Sequence, residues 1–307
     1  MSPPLLSLPV EELVAQRLRA ARLASENETI GLQPHAPAYP RSAELARSSF
    51  RVSVANRVDY HICLGAGLAE TAERARAFAE ACPELACGVV TFLPSRECDL
   101  LVLEYFAGES LDDLVYRGDC SATEWLRCVR HAQAVLERTR NDSVPESRRA
   151  QVDRWAAAIA SLRVIPDDEM ARITRCLFAP DPESAPSTRW TNGDFTGRNL
   201  LRNDRGEIRL VDYEFATASH FPGNDWRRLL QFSVLPDGVN EDNIPECQPH
   251  RQPLADLAFW FEHLALLAQV THTVPPRDLA LILRHIANAF YLQTGGRLSL
   301  SDSLLHA

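Results

Sequence analysis

The rhythm of apolar and polar positions changes twice along the chain. Behind Pro9, residues from Val10 to about Leu23 place apolar side chains at helical spacing, and the chain then enters a proline-containing stretch that ends at Pro40. Residues 1–40 read as an N-terminal helical extension, packed on the main body or reaching for a partner. From about Ser48 strict alternation takes over. Phe50 to Val54 and Tyr60 to Leu64 flank Ala55-Asn56-Arg57 as a hairpin. Ala69 to Ala81 is helical, with Leu68, Ala72, Ala75 and Ala79 on one small-residue face. Gly88 to Leu93 and Leu100 to Tyr105 read as two more strands. Two strands, a helix and two more strands predict a small antiparallel sheet carrying one helix, over residues 41–106.

Past Gly108 the period becomes helical. Ser110, with Asp113 three residues on, resembles a capping box with Asp in the usual place of Glu. Thr123 to Arg138, Arg148 to Leu162, Pro253 to Thr271 and Pro276 to Thr294 read as helices. Strand signals return only at Asn199 to Arg202 and Ile208 to Val211, around the turn Asn203-Asp204-Arg205-Gly206. The expected fold class is therefore α+β, with a small antiparallel β-sheet lobe followed by a larger helical lobe over residues 107–307. Tyr105 to Gly108 would link the two.

Composition narrows the chemistry. The 307 residues are 46% hydrophobic and 24% charged, as expected of a globular protein with a sizeable core. A net charge of −9 leaves no basic face for nucleic acid. All 32 basic residues are arginine, so a Schiff base, a lysine general base and a P-loop lysine are excluded. The eight cysteines show no C-x-x-C pair, which argues against structural zinc and for reduced thiols. Met1-Ser2-Pro3-Pro4 lacks the basic start of a signal peptide, and no apolar run reaches about 18 residues. A cytoplasmic protein with no membrane span is expected. Oligomeric state is left open.

The chemistry gathers between residues 192 and 214. Asn192-Gly193-Asp194-Phe195-Thr196-Gly197-Arg198-Asn199 is a glycine-containing loop ending at a strand, and a hairpin then leads to Val211-Asp212-Tyr213-Glu214. Folding that hairpin back sets Asp212 beside Asn199, with Asp194 close by. Phosphoryl transfer needs positioning and charge neutralisation more than covalent chemistry. A carboxylate such as Asp194 can orient an attacking hydroxyl. An Asn–Asp pair is an incomplete oxygen set of the kind that holds Mg²⁺ together with waters and phosphates.

This segment resembles the H-G-D-x-x-x-x-N loop and the I-D-[WFY]-E metal motif of the aminoglycoside phosphotransferase and choline kinase superfamily, small-molecule kinases with a bilobal protein-kinase-like fold. Leu101 to Leu111 is similar to the family's inter-lobe hinge with its following G-x-S/T-L, and Gly223-Asn224-Asp225 resembles a downstream family segment. The resemblance spans most of residues 45–295. It implies Asp194 as catalytic base, Asn199 and Asp212 as Mg²⁺ ligands, and backbone groups of Glu104, Tyr105 and Phe106 against the adenine of ATP. It implies transfer of the γ-phosphoryl of ATP to a hydroxyl of a small-molecule acceptor, with Glu214 and Asp225 facing that acceptor.

The sequence departs from the family pattern in three places. Asn192 stands where relatives carry His. The strand that should bear a phosphate-holding Lys or Arg, paired with a helix Glu, is Tyr60-His61-Ile62-Cys63-Leu64, with Glu73 and Glu80 as the candidate partners. Residues 40–49 hold no glycine, and Arg41, Arg47 and Arg51 are the cations available nearby. These departures motivate an alternative, a pseudokinase-like binding or regulatory module. No Walker-type P-loop, nucleophile elbow or H-E-x-x-H is present, and Gly65-Ala66-Gly67 lacks the third glycine of a dinucleotide turn.

Overall fold

The computed structural model describes residues 9–34, 48–55, 58–139, 147–178, 189–213, 215–221, 223–240, 244, 252–270 and 274–300. In chain order the elements are α1 (Val10–Ala20), β1 (Ile30–Pro34), β2 (Ser48–Val54), β3 (Val58–Gly65), α2 (Ala69–Ala81), β4 (Val89–Leu93), β5 (Asp99–Glu104) and β6 (Glu109–Ser110). There follow α3 (Leu111–Tyr116), α4 (Ala122–Arg138), α5 (Arg148–Ala160), α6 (Asp167–Phe178), β7 (Arg189–Thr191), β8 (Leu200–Arg202), β9 (Ile208–Leu210), β10 (Thr217–Ser219), α7 (Gly223–Phe232), α8 (Pro253–Val270) and α9 (Pro276–Thr294). The chain divides into two compact units, residues 1–109 with 201–214, and residues 110–200 with 215–307.

The first unit is built on a five-stranded sheet in the order β1-β2-β3-β5-β4, with antiparallel pairing throughout. Alternation sorts its side chains. Val52, Ile62, Leu64, Leu100 and Val102 lie on one face and are buried in a single core with Leu13, Val14 and Leu18 of α1. Burial of each such side chain contributes at most about 1.5–3 kcal/mol. Arg17 ties the helix down further, donating to the carbonyls of Cys98 (2.5 Å), Leu93 (2.8 Å) and Pro94 (3.1 Å). Residues 30–34, expected in the N-terminal extension, instead form β1, paired from Ile30↔Val54 to Pro34↔Phe50. Gly31 and Pro34 hide the alternation in the sequence. Proline is tolerated there because an edge strand leaves one side of its ladder unused.

The second unit is mainly helical, and its caps follow the sequence. Ser110 Oγ accepts from the Asp113 N–H at 3.0 Å and donates to the Asp113 carboxylate at 2.7 Å, starting α3. Ser121 and Glu124 form a full capping box on α4. The apolar faces of α5, α6, α8 and α9 share one large core, centred on Trp155, Ile173, Phe259, Phe261, Leu264, Leu283 and Ile286. The short pair β7–β10 runs antiparallel, with Thr217 opposite Thr191. At three residues each, these strands are too short for alternation to show. Among the described residues no helix is long and apolar enough to cross a membrane.

Candidate functional site

Strand β7 delivers the chain to Asn192, which is fully buried and whose Oδ1 accepts from the Asp194 N–H at 3.3 Å. Gly193 follows with φ +75°; a side chain there would bring its Cβ within 2.6 Å of both Cβ and O of Phe215. Only glycine meets both conditions. Beneath the loop, Asp225 of α7 accepts from the N–H of Asn192 (2.9 Å, Oδ2) and of Gly193 (3.2 Å, Oδ1). The far end of the loop is fastened separately. The Gly197 N–H donates to Ser233 Oγ at 2.7 Å, and its carbonyl accepts from the Asp112 N–H at 3.3 Å. Asp112 Oδ1 in turn accepts from the Val234 N–H at 3.0 Å.

The loop closes on itself. Asn199 Nδ2 donates to the Asp194 backbone oxygen and to Asp194 Oδ2, both at 2.9 Å. Two of the residues singled out in the sequence, Asp194 and Asn199, are thus brought into direct contact. Phe195 between them is fully buried and serves as the loop's apolar anchor.

The floor under the loop is an unusual buried charge cluster. Asp225 is 2% exposed, and burial, helped by nearby Glu262, pushes its carboxyl up to about 7 against the opposing backbone donors and Arg228. Glu262 is also pushed up by burial, opposed by Arg228 and by the Asn224 amide, which donates to it at 2.8 Å. Arg228 lies 3.9 Å from Glu262, places Nη1 3.1 Å from His263 Nδ1 and sits over the Phe259 ring. Burial, with Arg228 adding, drives His263 down to about 3, so it is a neutral ring accepting from Arg228. The expectation that Asp225 faces an acceptor is therefore corrected. Both its oxygens are spent holding the loop's backbone, out of reach of solvent. Glu214 lies outside the described residues.

Asp212 belongs to the first unit. It is exposed and adopts φ +63°, one of four described non-glycine residues with positive φ. Such a conformation costs on the order of 1 kcal/mol and persists only where neighbours hold it. Tyr213 supplies the hold: its hydroxyl donates to the Leu210 carbonyl at 2.5 Å and accepts from the Cys87 N–H at 2.6 Å, and its ring lies 5.1 Å from Phe78 of α2. Burial pushes the Tyr213 phenol well above its ordinary range.

Glu104, Tyr105 and Phe106, also in the first unit, line an open cavity of about 590 Å³ together with Val58, Asp59, Tyr60, Cys87, Val90 and Arg209. The cavity wraps the end of β5, so residues from both faces of the sheet border it. Beside it, Arg51 pairs with Asp59 at 2.7 Å and lies 4.6 Å over the Tyr105 ring. Of the three arginines considered as phosphate ligands, Arg51 is thus engaged elsewhere, and Arg41 and Arg47 lie outside the described residues. Arg51 and His61 are cross-strand partners, and Cys63 shares their face, 3.6 Å from His61 Nε2. Glu73 and Glu80 on α2 are exposed.

Within the second unit the Asn199 amide turns its nitrogen to Asp194, which leaves its Oδ1 as the atom able to meet a hard cation. Among the described residues no group of three His, Cys, Asp or Glu could hold a metal ion, and none of the seven described cysteines is in a disulfide.

Sequence comparison finds no matching family model and no matching curated protein. Structural comparison is different. The chain is similar to a type VIII aminoglycoside-3′-phosphotransferase (TM-score 0.51, 15% identity, covering 91% of this chain and 98% of that one). It is similar to APH(2″)-IIa in its ternary complex with streptomycin and ATP (TM-score 0.59, 11% identity, 92% and 99%). It is similar to a choline/ethanolamine kinase family protein from Mesorhizobium loti (TM-score 0.51, 17% identity, 92% and 94%). The chain has the fold of these small-molecule kinases. The holding roles of Asp225, Asp112 and Ser233 at the loop, and of Tyr213 beside Asp212, were not read in the sequence, where Asp225 was expected to face an acceptor. The one available hint was a charged residue, Asp225, next to Trp226 on the apolar side of a helix start.

Proposed function

We propose that this chain is a divergent member of the aminoglycoside phosphotransferase and choline kinase superfamily, moving the γ-phosphoryl of ATP to a hydroxyl of a small molecule. The observation that carries the reading is the Asp194–Asn199 pair, closed at 2.9 Å on a loop whose backbone is gripped by a buried carboxylate. In the proposed reaction Asp194 orients the acceptor hydroxyl and takes its proton as the new O–P bond forms and the bond from the γ-phosphorus to the bridging oxygen of ADP breaks. Asn199 Oδ1 and Asp212 would hold Mg²⁺, which supplies charge neutralisation at the phosphates when bound. Backbone groups of residues 104–106 would meet the base edge.

A second reading has its own observation. Strand β3 presents His61 and Cys63 where a cation is expected, Arg51 is engaged with Asp59 and Tyr105, and both candidate helix glutamates are exposed. A module that kept the loop and lost the phosphate grip would look the same there. Thermal shift separates the two. Millimolar Mg²⁺-ATP raises the melting temperature of a competent nucleotide binder by linkage. Absence of a shift with every nucleotide tried would favour the binding module and defeat the kinase reading.

A further inference from the structure

The residues on either side of Ser233, which fastens the loop, are apolar and turned outward. Phe232 is 37% exposed and Val234 41%. Ser233 Oγ accepts from Gly197, three residues past Asp194, and the Val234 N–H is bonded to Asp112, whose own N–H reaches the Gly197 carbonyl. Both apolar side chains are therefore fixed to the same short stretch of backbone that presents Asp194. Large apolar groups left in water beside a reactive loop mark a binding surface.

The side chains packed behind them are aromatic, and the charge beneath those rings is the Arg228 guanidinium, against His263 and over Phe259. The Phe232 ring lies 4.9 Å from His263 and 6.4 Å from Phe259. His263 stacks parallel to Phe259 (6.2 Å, 7°) and meets Trp260 edge-on (5.9 Å, 75°). Because His263 is neutral, it adds to this wall as a ring rather than as a cation. The segment Gln231-Phe232-Ser233-Val234-Leu235 contains no charge. Asp112, whose carboxylate accepts from the Val234 N–H, is pushed up by burial.

We infer that Phe232 and Val234 form one wall of the acceptor site, and that the acceptor is an alcohol whose body beside the reacting hydroxyl is apolar or aromatic. This rests on the phosphotransferase reading, with Asp194 taking the hydroxyl proton as already described. A polycationic acceptor would need carboxylates on this wall, and residues 231–235 have none. An apolar body gains by covering the two exposed side chains, and Phe232 can stack on a flat one.

The test uses the full chain and 3-phenylpropan-1-ol as probe, with binding followed by ligand-observed NMR. Phe232→Ala and Val234→Asp should each weaken binding by about tenfold, the worth of one good aromatic or apolar contact. Failure of the unmodified protein to bind, or equal binding by both variants, would overturn the inference. So would kanamycin binding that neither variant disturbs. The Mg²⁺-ATP thermal shift of the unmodified protein is recorded alongside. Its loss with the phenylpropanol result intact removes the kinase reading and keeps the apolar site, while the reverse result removes only the apolar site.

Discussion

The 192–199 loop and the β2–β3 face of the sheet would both serve the same reaction, yet they are held to different standards. The loop is fastened at both ends and in the middle: by Asp225 under Asn192 and Gly193, by Ser233 and Asp112 at Gly197, and by Asn199 across to Asp194. The sheet face offers His61 and Cys63, with one nearby arginine committed to Asp59. Groups that must sit within fractions of an ångström of a reacting atom need such a supporting shell. Groups that merely attract phosphate charge can come from several places. Under the proposed reaction, the contrast would mean that the geometry of the transfer step is held more strictly than the grip on the donor.

The comparison can be broken most directly at Gly193. Gly193→Ala combines a left-handed backbone with a clash against Phe215, and should cost about 3 kcal/mol or more of stability by denaturant unfolding. A loss below 1 kcal/mol, roughly, would show that the loop is looser than described. Next, Asp194→Ala should lower the rate of phosphoryl transfer from ATP by about a hundredfold or more while the melting temperature holds. An unchanged rate removes Asp194 from catalysis.

The buried cluster predicts a cancellation. Asp225 is raised to about 7 from the ordinary carboxylate value, so the native state binds its proton more tightly and this contribution to stability is lost as pH rises toward 7. His263 is lowered to about 3, so its contribution is present above the ordinary histidine value and is lost as pH falls toward 3. Between about pH 4 and 6.5 the two slopes, each at most about 1.4 kcal/mol per pH unit, oppose one another. His263→Phe should unmask falling stability with rising pH over that window, and Asp225→Asn the opposite slope. Melting temperatures across the window decide it; parallel curves for both variants would mean the two groups do not titrate there. The smallest effect is a gain. Cys63→Lys should tighten Mg²⁺-ATP binding by about tenfold, as one charge-assisted contact would. No change would mean that the donor's phosphates do not pass that face.

Legibility in the sequence followed the same division. The alternation of β2 and β3, the unbroken apolar run of β5 and the apolar faces of α4, α8 and α9 were readable because each element is long enough to show its pattern. Asp194 and Asn199 were readable because a fixed spacing joins them. Strand β1 was not, because Gly31 and Pro34 interrupt five residues, and β7 and β10 are shorter than one clear alternation. Helix α6 (Asp167–Phe178), with only Ile173, Thr174 and Leu177 buried in its second half, also passed unread. The fasteners were hidden for a different reason. Asp112, Asp225 and Ser233 are polar residues whose meaning depends on partners 30 to 120 or so positions away, and no local pattern encodes that. Asp225 was misread for the same cause, since an acidic residue near a site resembles a ligand until its burial is known.

Helix α1 carries one more implication. It is synthesised before the sheet, yet the face it covers is completed only when β5 has been made, with Arg17 waiting for carbonyls about 80 residues downstream. Until then the strands β2 and β3 hold Val52, Ile62 and Leu64 uncovered beside an open edge, the condition under which chains pair with one another instead of with themselves. A fragment that starts at Ser48 would keep every residue assigned to the reaction and still be expected to aggregate. Helix α1 and strand β1 act as the sheet's built-in escort.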